Sequence, residues 1–221
     1  MQNNVKPLRV AFFGPPGSGK GTQAKKFAES LGLPHISTGD ILRNIQEDTA
    51  NPLSQEVAAV MSRGEFVSAE LVNRLVADRL KQDDCENGFI LDGYPRTLGQ
   101  AEFLDGIIEL GLAILIDVSD AAIVDRMSGR RVCKNGHTYH IKYNPPKDLS
   151  VCDVCGEPLY LREDDNPETV LKRLEKYHQE TDAILNRYNE KGILTKVDGE
   201  KNIDEVYDQI IEKIKVAGFS A

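Results

Sequence analysis

A glycine-rich turn near the start of the chain has the residue types and spacing of a phosphate-binding loop. The sequence GPPGSGKGT at 14–22 follows an apolar run at 10–13 that is long enough for a buried strand, and a helical pattern comes after it. The glycines let consecutive N–H groups turn inward, and the positive end of the following helix adds to this anion cradle. The pattern G-x-x-x-x-G-K in this context predicts phosphate binding.

Lys20 adds a point charge that can follow a phosphoryl group during its transfer. The residue after Lys20 is Gly21, and the hydroxyl comes one position later, at Thr22. Because the usual pattern has Ser or Thr directly after the lysine, the sequence does not assign Thr22 as a direct magnesium ligand. A plain Gly/Pro-rich turn is the alternative, but it does not account for Lys20 and Thr22.

Three of the four cysteines lie in one stretch with the spacing of metal ligands. Cys152 and Cys155 form a C-x-x-C knuckle, and Cys133 with His137 can form a second one. Thiolate and imidazole ligands in a tetrahedral set favour zinc, and a full set leaves no open position for catalysis. The first knuckle departs from the common spacing, so His140 is a competing fourth ligand and a metal-free segment is the alternative.

The composition indicates a globular domain with an ample core. Of 221 residues, 40% are hydrophobic and 28% are charged, and the net charge of −8 disfavours nonspecific nucleic-acid binding. There is no apolar stretch long enough for a membrane span and no apolar run typical of a secretory signal at the start. We therefore expect free thiols, a cytoplasmic location and no membrane partner.

Strand and helix patterns alternate, which predicts an α/β fold with a doubly wound, mainly parallel sheet flanked by helices. Asp40 is the predicted N-cap of one helix, and Gly111 is the predicted cap of a helix that ends at Leu110. Residues 131–165 lack helical periodicity and predict a compact insertion of short strands. The predicted strands are 10–13, 35–37, 88–93, 113–118 and 193–197, and the longer predicted helices are 22–31, 68–81, 121–127, one from 167 onward and 204–216.

The strand at 88–93 ends in an acid and a glycine, and Tyr94, Pro95 and Arg96 follow. Functional groups of open α/β sheets collect beyond the carboxyl ends of the strands. We therefore expect Asp92 and Arg96 beside the phosphate loop, with Gln100 one helical turn after Arg96.

Several motifs together resemble the adenylate kinase family, in its long form with a full lid, over residues 10–211. The resemblance implies a single nucleotide-kinase domain over 1–221, with an AMP-binding insertion near 37–67 and a lid near 129–165. The cysteine and histidine spacing described above would place a structural zinc in this lid. The resemblance also implies reversible transfer from ATP to AMP with magnesium, small nucleotides as the only partners, and a monomer. The motifs are GPPGSGKGTQ, ISTGDILR, GFILDGYPRT, DRMSGRRV, YHIKYNPP and REDD.

Six arginines are expected to neutralise the phosphates, because the guanidinium is always charged and binds phosphate oxygens in pairs. Arg126 and Arg130 are four residues apart, which predicts a shared helix face. The resemblance implies that Arg43 and Arg96 bind the AMP phosphate, that Arg126 and Arg130 bind the ATP phosphates and the transferring group, and that Arg162 and Arg173 contact AMP phosphate when the lid closes.

Further residues have expected roles, of which the nucleotide contacts are implied by the resemblance. Asp92, which follows an apolar strand beside the phosphate loop, would hold magnesium through water. Asp164 and Asp165 pair with the lid arginines or help close the lid, and a solvated acidic run is the alternative. Hinge candidates are Gly39, Gly64 and Gly129, whereas Cys85, His35 and His178 are treated as ordinary packing or surface residues. The expected ATP-binding residues are Gly17, Ser18, Gly19, Lys20, Gly21, Thr22, Arg130, Thr138, Tyr139 and Lys201, and the expected AMP-binding residues are Thr38, Arg43, Glu65, Phe66, Val67, Gly93, Tyr94, Pro95, Arg96, Gln100, Arg162 and Arg173.

Other functions compete with this hypothesis. A nonenzymatic P-loop switch needs few arginines at the phosphates, and a zinc-ribbon nucleic-acid binder needs a basic ribbon, whereas 131–165 also carries several acids. Among enzymes, the rivals are a GTP-dependent AMP kinase and a kinase of another nucleoside monophosphate.

Overall fold

The computed structural model describes residues 7–63 and 65–219. Its strands are β1 (Leu8–Phe13), β2 (His35–Ser37), β3 (Gly88–Asp92), β4 (Leu112–Asp117), β5 (Arg130–Val132), β6 (Thr138–His140) and β7 (Leu194–Asp198). Five of them form a parallel sheet in the order β2-β3-β1-β4-β7. The predicted α/β class with a parallel sheet is confirmed.

Helices cover both faces of this sheet. They are α1 (Lys20–Leu31), α2 (Thr38–Glu47), α3 (Ser54–Ser62), α4 (Ala69–Leu80), α5 (Leu98–Ile107), α6 (Asp120–Gly129), α7 (Pro167–Glu190) and α8 (Ile203–Val216), with short 3-10 turns at Asp83–Cys85 and Glu163–Asp165. Within residues 7–63 and 65–219, every helix is too short or too polar to cross a membrane.

The central strands are buried on both faces, so their alternating side chains enter two separate cores. Ala11 and Phe13 of β1 belong to a core under α2 to α5 and α7. Val10 and Phe12 of the same strand belong to a second core under α1, α6 and α8. The sheet is therefore held from both sides, and the ends of its strands are fixed positions for functional groups.

The start of α2 differs from the prediction. Ser37 is the N-cap, and its hydroxyl accepts a hydrogen bond from the backbone N–H of Asp40 at 3.2 Å. The prediction that Asp40 caps this helix is therefore wrong. Asp40 lies in the first turn, where its negative charge is favoured by the helix dipole.

The end of α5 also differs from the prediction. The helix ends at Ile107, and Ile108 has an extended backbone that leads the buried Leu110 into the core. Gly111 does not cap the helix; its N–H donates to the carbonyl of Arg9 at 2.8 Å and continues the pairing of β4 with β1. The helix was predicted to reach Leu110 because Leu110 is apolar, but this residue is buried in the connecting segment after the helix.

Residues 130–162 form a small unit outside the main sheet. β5 and β6 pair antiparallel, and isolated bridges join Val132 to Tyr160 and Val151 to Pro158. Cys133, Tyr139 and Cys152 form its hydrophobic cluster, with the partly buried Leu159 packed on them. The predicted insertion of short strands is present, and its core is very small.

Candidate active site

The turn between β1 and α1 has the conformation of an anion cradle. Gly17 and Gly19 have φ values of 80° and 88°, in the left-handed region that favours glycine. The turn leads directly into α1, whose first N–H groups have no partner within the helix. The buried hydroxyl of Ser18 has no hydrogen-bond partner among the described residues. The turn therefore offers unsatisfied donors for an anion.

Lys20 lies partly buried at this cradle. Its Nζ donates to the carbonyl of Pro15 at 3.2 Å. Burial lowers the pKa of Lys20 to about 7; the charge of Asp92 opposes this shift, and the charges of Arg96, Arg173 and Arg130 add to it. A bound anion would stabilise the ammonium form.

Asp92 ends β3 at the same edge of the sheet and is 8% exposed. Although burial opposes ionisation, the neighbouring His35 and Lys20 keep the pKa of Asp92 below its ordinary value. One carboxylate oxygen of Asp92 lies 3.0 Å from the position that a Cβ on Gly21 would occupy. This close approach explains why glycine follows Lys20, where the usual motif has a hydroxyl residue.

Three arginines gather around Lys20. Arg96 comes from the loop after β3, Arg130 from the start of β5 and Arg173 from α7. Burial and the charge of Arg173 lower the pKa of Arg96 to about 10, and burial with the charge of Arg130 lowers the pKa of Arg162 to about 10. Because both values stay well above 7, Arg96 and Arg162 remain charged at neutral pH. The positive charge of the cleft therefore favours binding of a polyanion.

Carboxylates hold these arginines in place. Asp165 is 2% exposed and receives Nε–H of Arg130 at 2.6 Å, together with a second bond from the same guanidinium. Asp164 receives a bond from Arg173 at 2.6 Å. Of the two interpretations of this acidic pair, the structure supports pairing with the arginines. Arg43 likewise bonds to Asp40.

A cavity beside this cluster collects most of the predicted AMP-binding residues. We call it the inner cavity. In it, Arg96 N–H donates to Gln100 Oε1 at 2.8 Å, and Thr38 donates to the carbonyl of Gly93 at 2.8 Å. The inner cavity is lined by Thr38, Gly39, Leu42, Arg43, Met61, Glu65, Phe66, Val67, Val72, Gly93, Arg96, Gln100, Asp164 and Arg173.

Tyr94 and Pro95 do not line the inner cavity. The Tyr94 side chain is 1% exposed, and its hydroxyl donates to Asn73 at 2.7 Å. The peptide bond between Tyr94 and Pro95 is cis. The ring of Tyr94 therefore supports the loop that carries Arg96 from beneath.

Arg126 lies apart from the other arginines. It is in the last turn of α6, and its guanidinium faces the ring of Tyr143 at 5.9 Å. The Tyr143 hydroxyl donates to Asp125 at 2.6 Å. Because α6 ends at Gly129, Arg130 is in a strand, and the prediction that it shares a helix face with Arg126 is wrong.

Three other predicted ATP-side residues lie in the insertion or between β7 and α8. Tyr139 points into the interior of the insertion, where its hydroxyl is 3.5 Å from Cys152 Sγ and accepts Asp153 N–H at 3.0 Å. Thr138 donates to the carbonyl of Gly136 at 3.4 Å. Lys201 is exposed between β7 and α8.

The hinge candidates also have defined surroundings, except Gly64, which lies outside the described residues. Gly39 lies inside α2, where a Cβ would stand 3.0 Å from the Arg43 guanidinium. Gly129 ends α6, where a Cβ would stand 2.4 Å from His140 Nε2. Both glycines therefore permit a close approach by a functional or lid residue.

Cys133, His137, Cys152 and Cys155 converge at one end of the insertion. Their ligand atoms all lie within 4.8 Å of one another. His137 Nδ1 is 3.3 Å from Cys133 Sγ and 3.4 Å from Cys152 Sγ, and the Cys133 and Cys155 sulfurs are 3.7 Å apart. Tetrahedral zinc with bonds of about 2.0–2.3 Å needs ligand separations of roughly 3.3–3.8 Å. The donor set and its spacing fit this metal.

His140 lies outside that cluster. Its Nδ1 accepts the N–H groups of Lys142 at 3.0 Å and Tyr143 at 3.1 Å, and its ring packs on Tyr143. Among the two histidines that the sequence left in competition, only His137 is placed with the three sulfurs.

Sequence reasoning missed several groups of the cleft. Asp40 pairs with Arg43, and His35 Nε2 is 3.6 Å from the Asp92 carboxylate. His178, also treated as an ordinary residue, is 3.0 Å from Asp120 at the surface. The spacing of Asp40 three residues before Arg43 was an available signal. No signal indicated His35, because its contact depends on β2 lying beside β3.

Comparison with known proteins agrees with this geometry. A family model described as adenylate kinase matches residues 12–193. The chain is 48% identical over 212 residues to an adenylate kinase of Lachnospira eligens, covering 93% of this chain and 99% of that one. It is 50% identical over 210 residues to one of Caldanaerobacter subterraneus, covering 92% and 94%. It is 47% identical over 217 residues to one of Thermotoga maritima, covering 96% and 97%.

Proposed function

The chain belongs to the adenylate kinase family, and we propose that the cleft around Lys20 is where it acts. The enzyme catalyses reversible phosphoryl transfer between ATP and AMP, giving two ADP. The observation that supports this location is the convergence of Lys20, Asp92 and three arginines at the carboxyl edge of the sheet. Such an arrangement suits a reaction that depends on positioning and charge stabilisation.

On the ATP side, the proposal places the phosphates on the loop and the first turn of α1. Backbone N–H groups of 17–22 would bind the phosphate oxygens, and Lys20 would follow the transferring group. Arg130 would stabilise the charge that develops on that group. Arg126 and the residues Thr138, Tyr139 and Lys201 are proposed on the ATP side by resemblance alone.

On the AMP side, the proposal places the phosphate among Arg43, Arg96 and Arg173 at the inner cavity. Arg162 is partly buried, and its electrostatic neighbours are Arg43 and Arg130. Thr38, Gln100 and the segment 65–67 line the same cavity. The side chains of Thr38 and Gln100 and the backbone of 65–67 would contact the nucleoside. When nucleotides bind, Arg130 and Arg173 would exchange their bonds with Asp165 and Asp164 for bonds with phosphate oxygens.

Magnesium is proposed as the cofactor that accompanies ATP. Asp92 fits the ion, because its buried carboxylate stays ionised at the edge where the phosphates would lie. When bound, magnesium neutralises phosphate charge. The contribution of the chain is to hold Asp92 fixed at the end of β3, with its carboxylate 3.6 Å from His35 Nε2, since hard cations need oxygen ligands in a defined position.

One coupled assay tests the substrate assignment. The purified enzyme is given AMP, UMP, CMP or GMP as acceptor, with ATP or GTP as donor. We expect turnover with AMP and ATP to exceed every other combination. Preference for another acceptor would favour a different nucleoside monophosphate kinase, preference for GTP would favour a GTP-dependent enzyme, and nucleotide binding without turnover would favour a switch.

We also propose that Cys133, His137, Cys152 and Cys155 hold one structural zinc ion in the lid. The separations of their ligand atoms support a tetrahedral set. Burial opposes ionisation of Cys152, but bonds from Tyr139 and from backbone N–H groups lower the pKa of its thiol to about 6. The thiolate form required by zinc is therefore favoured at Cys152.

The domain proposal is one kinase domain over 1–221, in which the insertion at 37–67 and the lid at 129–165 close over the substrates. Closure would exclude water, which otherwise would hydrolyse the activated phosphoryl group. A bisubstrate analogue that joins two adenosines should reduce the radius of gyration in solution scattering. An unchanged radius at saturation would contradict closure.

Small nucleotides are the proposed partners, and the enzyme is proposed to act as a cytoplasmic monomer. The four cysteines are free thiols in the structure, as the reducing cytoplasm would maintain them. Sedimentation at working concentration would test the monomer.

A further inference from the structure

The ring of Phe66 lies between two cations from different parts of the fold. The Arg96 guanidinium carbon is 5.4 Å from the ring centre, and the Lys176 ammonium is 5.9 Å from it. Phe66 belongs to the segment that joins α3 to α4, whereas Lys176 belongs to α7. Both separations are within the range in which a cation is attracted to an aromatic face.

Core packing does not account for this aromatic residue. Phe66 is half-buried, and it is absent from the side chains that form the two main cores or pack against them. Its neighbour Val67 is 7% exposed and is a core member. Val67 therefore anchors the segment to the core, and the ring of Phe66 can contact Arg96 in the cleft.

Arg96 is held from two directions. Its Nε–H donates to the carbonyl of Gly93 at 2.7 Å, and the ring of Phe66 contacts its guanidinium. Neither contact uses an Nη hydrogen, and these are the groups with which an arginine can bind phosphate oxygens. The two contacts thus fix the orientation of Arg96 without competing with an anion.

Phe66 also lies on the boundary between two cavities. It lines the inner cavity and a second one, which we call the outer cavity, on the side of α7. Residues 65–67 and Gln100 are common to both. The outer cavity additionally contains Lys172 and Lys176, which pair with Glu168 and Glu180. The ring therefore forms part of the wall that closes the inner cavity.

We propose that Phe66 is a positioning residue that orients Arg96 toward the AMP phosphate and, with Lys176, closes the outer end of the inner cavity. This inference rests on the proposed role of Arg96. Because the ring acts through Arg96, its loss should weaken AMP binding specifically and leave the ATP side unchanged.

The test begins with Phe66→Leu, which keeps an apolar side chain and removes the ring face. We expect the KM for AMP to rise about 5- to 20-fold, with the KM for ATP unchanged. Phe66→Tyr keeps the ring face and should restore most of the affinity. Phe103→Leu on α5, where the ring is 36% exposed, is the matched control and should change neither KM.

Lys176→Gln tests the second cation, and Lys172→Gln is its matched control in the same cavity. Since Lys176 also pairs with Glu180 at 2.9 Å, we expect a rise in the KM for AMP of only about 2- to 3-fold. Lys172→Gln should have no effect on it. Equal effects of the two variants would contradict the proposed contact with the ring.

A double-mutant cycle separates this inference from the proposed function. If Arg96→Ala weakens AMP and Phe66→Leu adds nothing in that background, the ring acts through Arg96. If Arg96→Ala weakens AMP but Phe66→Leu alone does not, the inference is wrong and the proposed function stands. If Arg96→Ala leaves AMP binding unchanged, the proposed AMP side itself is wrong.

A fluorescence measurement adds a readout that a purely structural role would not move. The chain has no tryptophan, so Phe66→Trp introduces a single reporter at the cavity wall. AMP should change its emission with a midpoint near the KM for AMP, and ATP alone should not. An emission that responds equally to both nucleotides, or to neither, would overturn the inference.

Discussion

The nucleotide cleft and the lid are stabilised in different ways. The cleft lies at the edge of a sheet with a large core on each face, and its cations are paired with carboxylates such as Asp164 and Asp165. The lid has a hydrophobic cluster of three buried side chains, and apolar residues such as Val154, 70% exposed, remain at its surface. The cleft is positioned by the fold, whereas the lid has little core of its own and would depend on the proposed zinc.

This difference predicts that substitutions in the cleft affect chemistry, whereas substitutions in the lid cluster affect stability. A cation of the cleft can be removed while both cores remain, so turnover should fall with little loss of fold. A ligand of the lid cluster can be removed while the cleft remains, so stability should fall with little direct loss of chemistry. The predictions below test this separation, from the largest expected effect to the smallest.

Lys20→Met should reduce turnover by about 10³-fold or more, because it removes the cation that follows the transferring group. The unfolding temperature should be unchanged or higher, since burial already disfavours the ammonium form. Steady-state kinetics and thermal unfolding of the same preparation measure both. Near-normal turnover would remove Lys20 from the mechanism, and a destabilised protein would break the separation.

Arg96→Ala should slow transfer and raise the KM for AMP by about 10- to 100-fold, because one charged partner of the phosphate is lost. The KM for ATP should change much less. Separate titrations of AMP and ATP show whether Arg96 acts on the AMP side or on the ATP side. Equal weakening of both would mean that Arg96 serves the transferring group and not the AMP side.

Much of the fold could be predicted because the strands are continuous apolar runs that end at turn residues. The predicted helix boundaries were wrong where a local sequence rule competed with tertiary structure. Asp40 satisfied the rule for a cap, but Ser37 takes that place because β2 runs directly into α2. Leu110 continued a helical spacing, although it is buried by an extended connection to the sheet.

Residues of the candidate site could be predicted where one short motif fixes both the place of a residue in the fold and its chemical type, as at Lys20 and Cys152. They could not be predicted where two distant segments meet. The contacts of Arg130 with Asp165 and of Phe66 with Lys176 depend on how α7 and the insertions pack on the cleft. The orientation of Tyr139 depends on the interior of the lid, which no sequence pattern describes.

Removal of the lid metal should act on stability. We expect about one zinc per chain, and chelation should lower the unfolding temperature of the lid by about 10 °C or more, because the metal substitutes for a core. Turnover at low temperature should persist. Metal analysis and calorimetry of the wild type, before and after chelation, measure these effects, and absence of metal under reducing, metal-replete conditions would remove the zinc proposal.

Two histidine variants extend this test to the choice of ligand. His137→Ala should lose metal, whereas His140→Ala should retain it, since only His137 lies with the three sulfurs. The opposite pattern of metal content would exchange the fourth ligand.

The smallest expected effect is a proton taken up by Lys20 when ATP binds. In the free cleft the pKa of Lys20 is lowered to about 7, so at pH 8 most of its amines are neutral. Phosphate charge raises that pKa, and the bound amine is protonated. Binding at pH 8 should therefore take up nearly one proton, and binding at pH 6, where the amine is already charged, should take up almost none.

Calorimetric titration in buffers of different ionisation enthalpy measures this number directly. Lys20→Met is the control, because it keeps the cleft and removes the titrating group. Uptake at pH 8 that is equal in the variant and the wild type would assign the proton elsewhere. Uptake confined to the wild type would show that the cleft holds Lys20 partly discharged until a polyanion arrives, whereas chelation of the lid metal should leave this uptake unchanged.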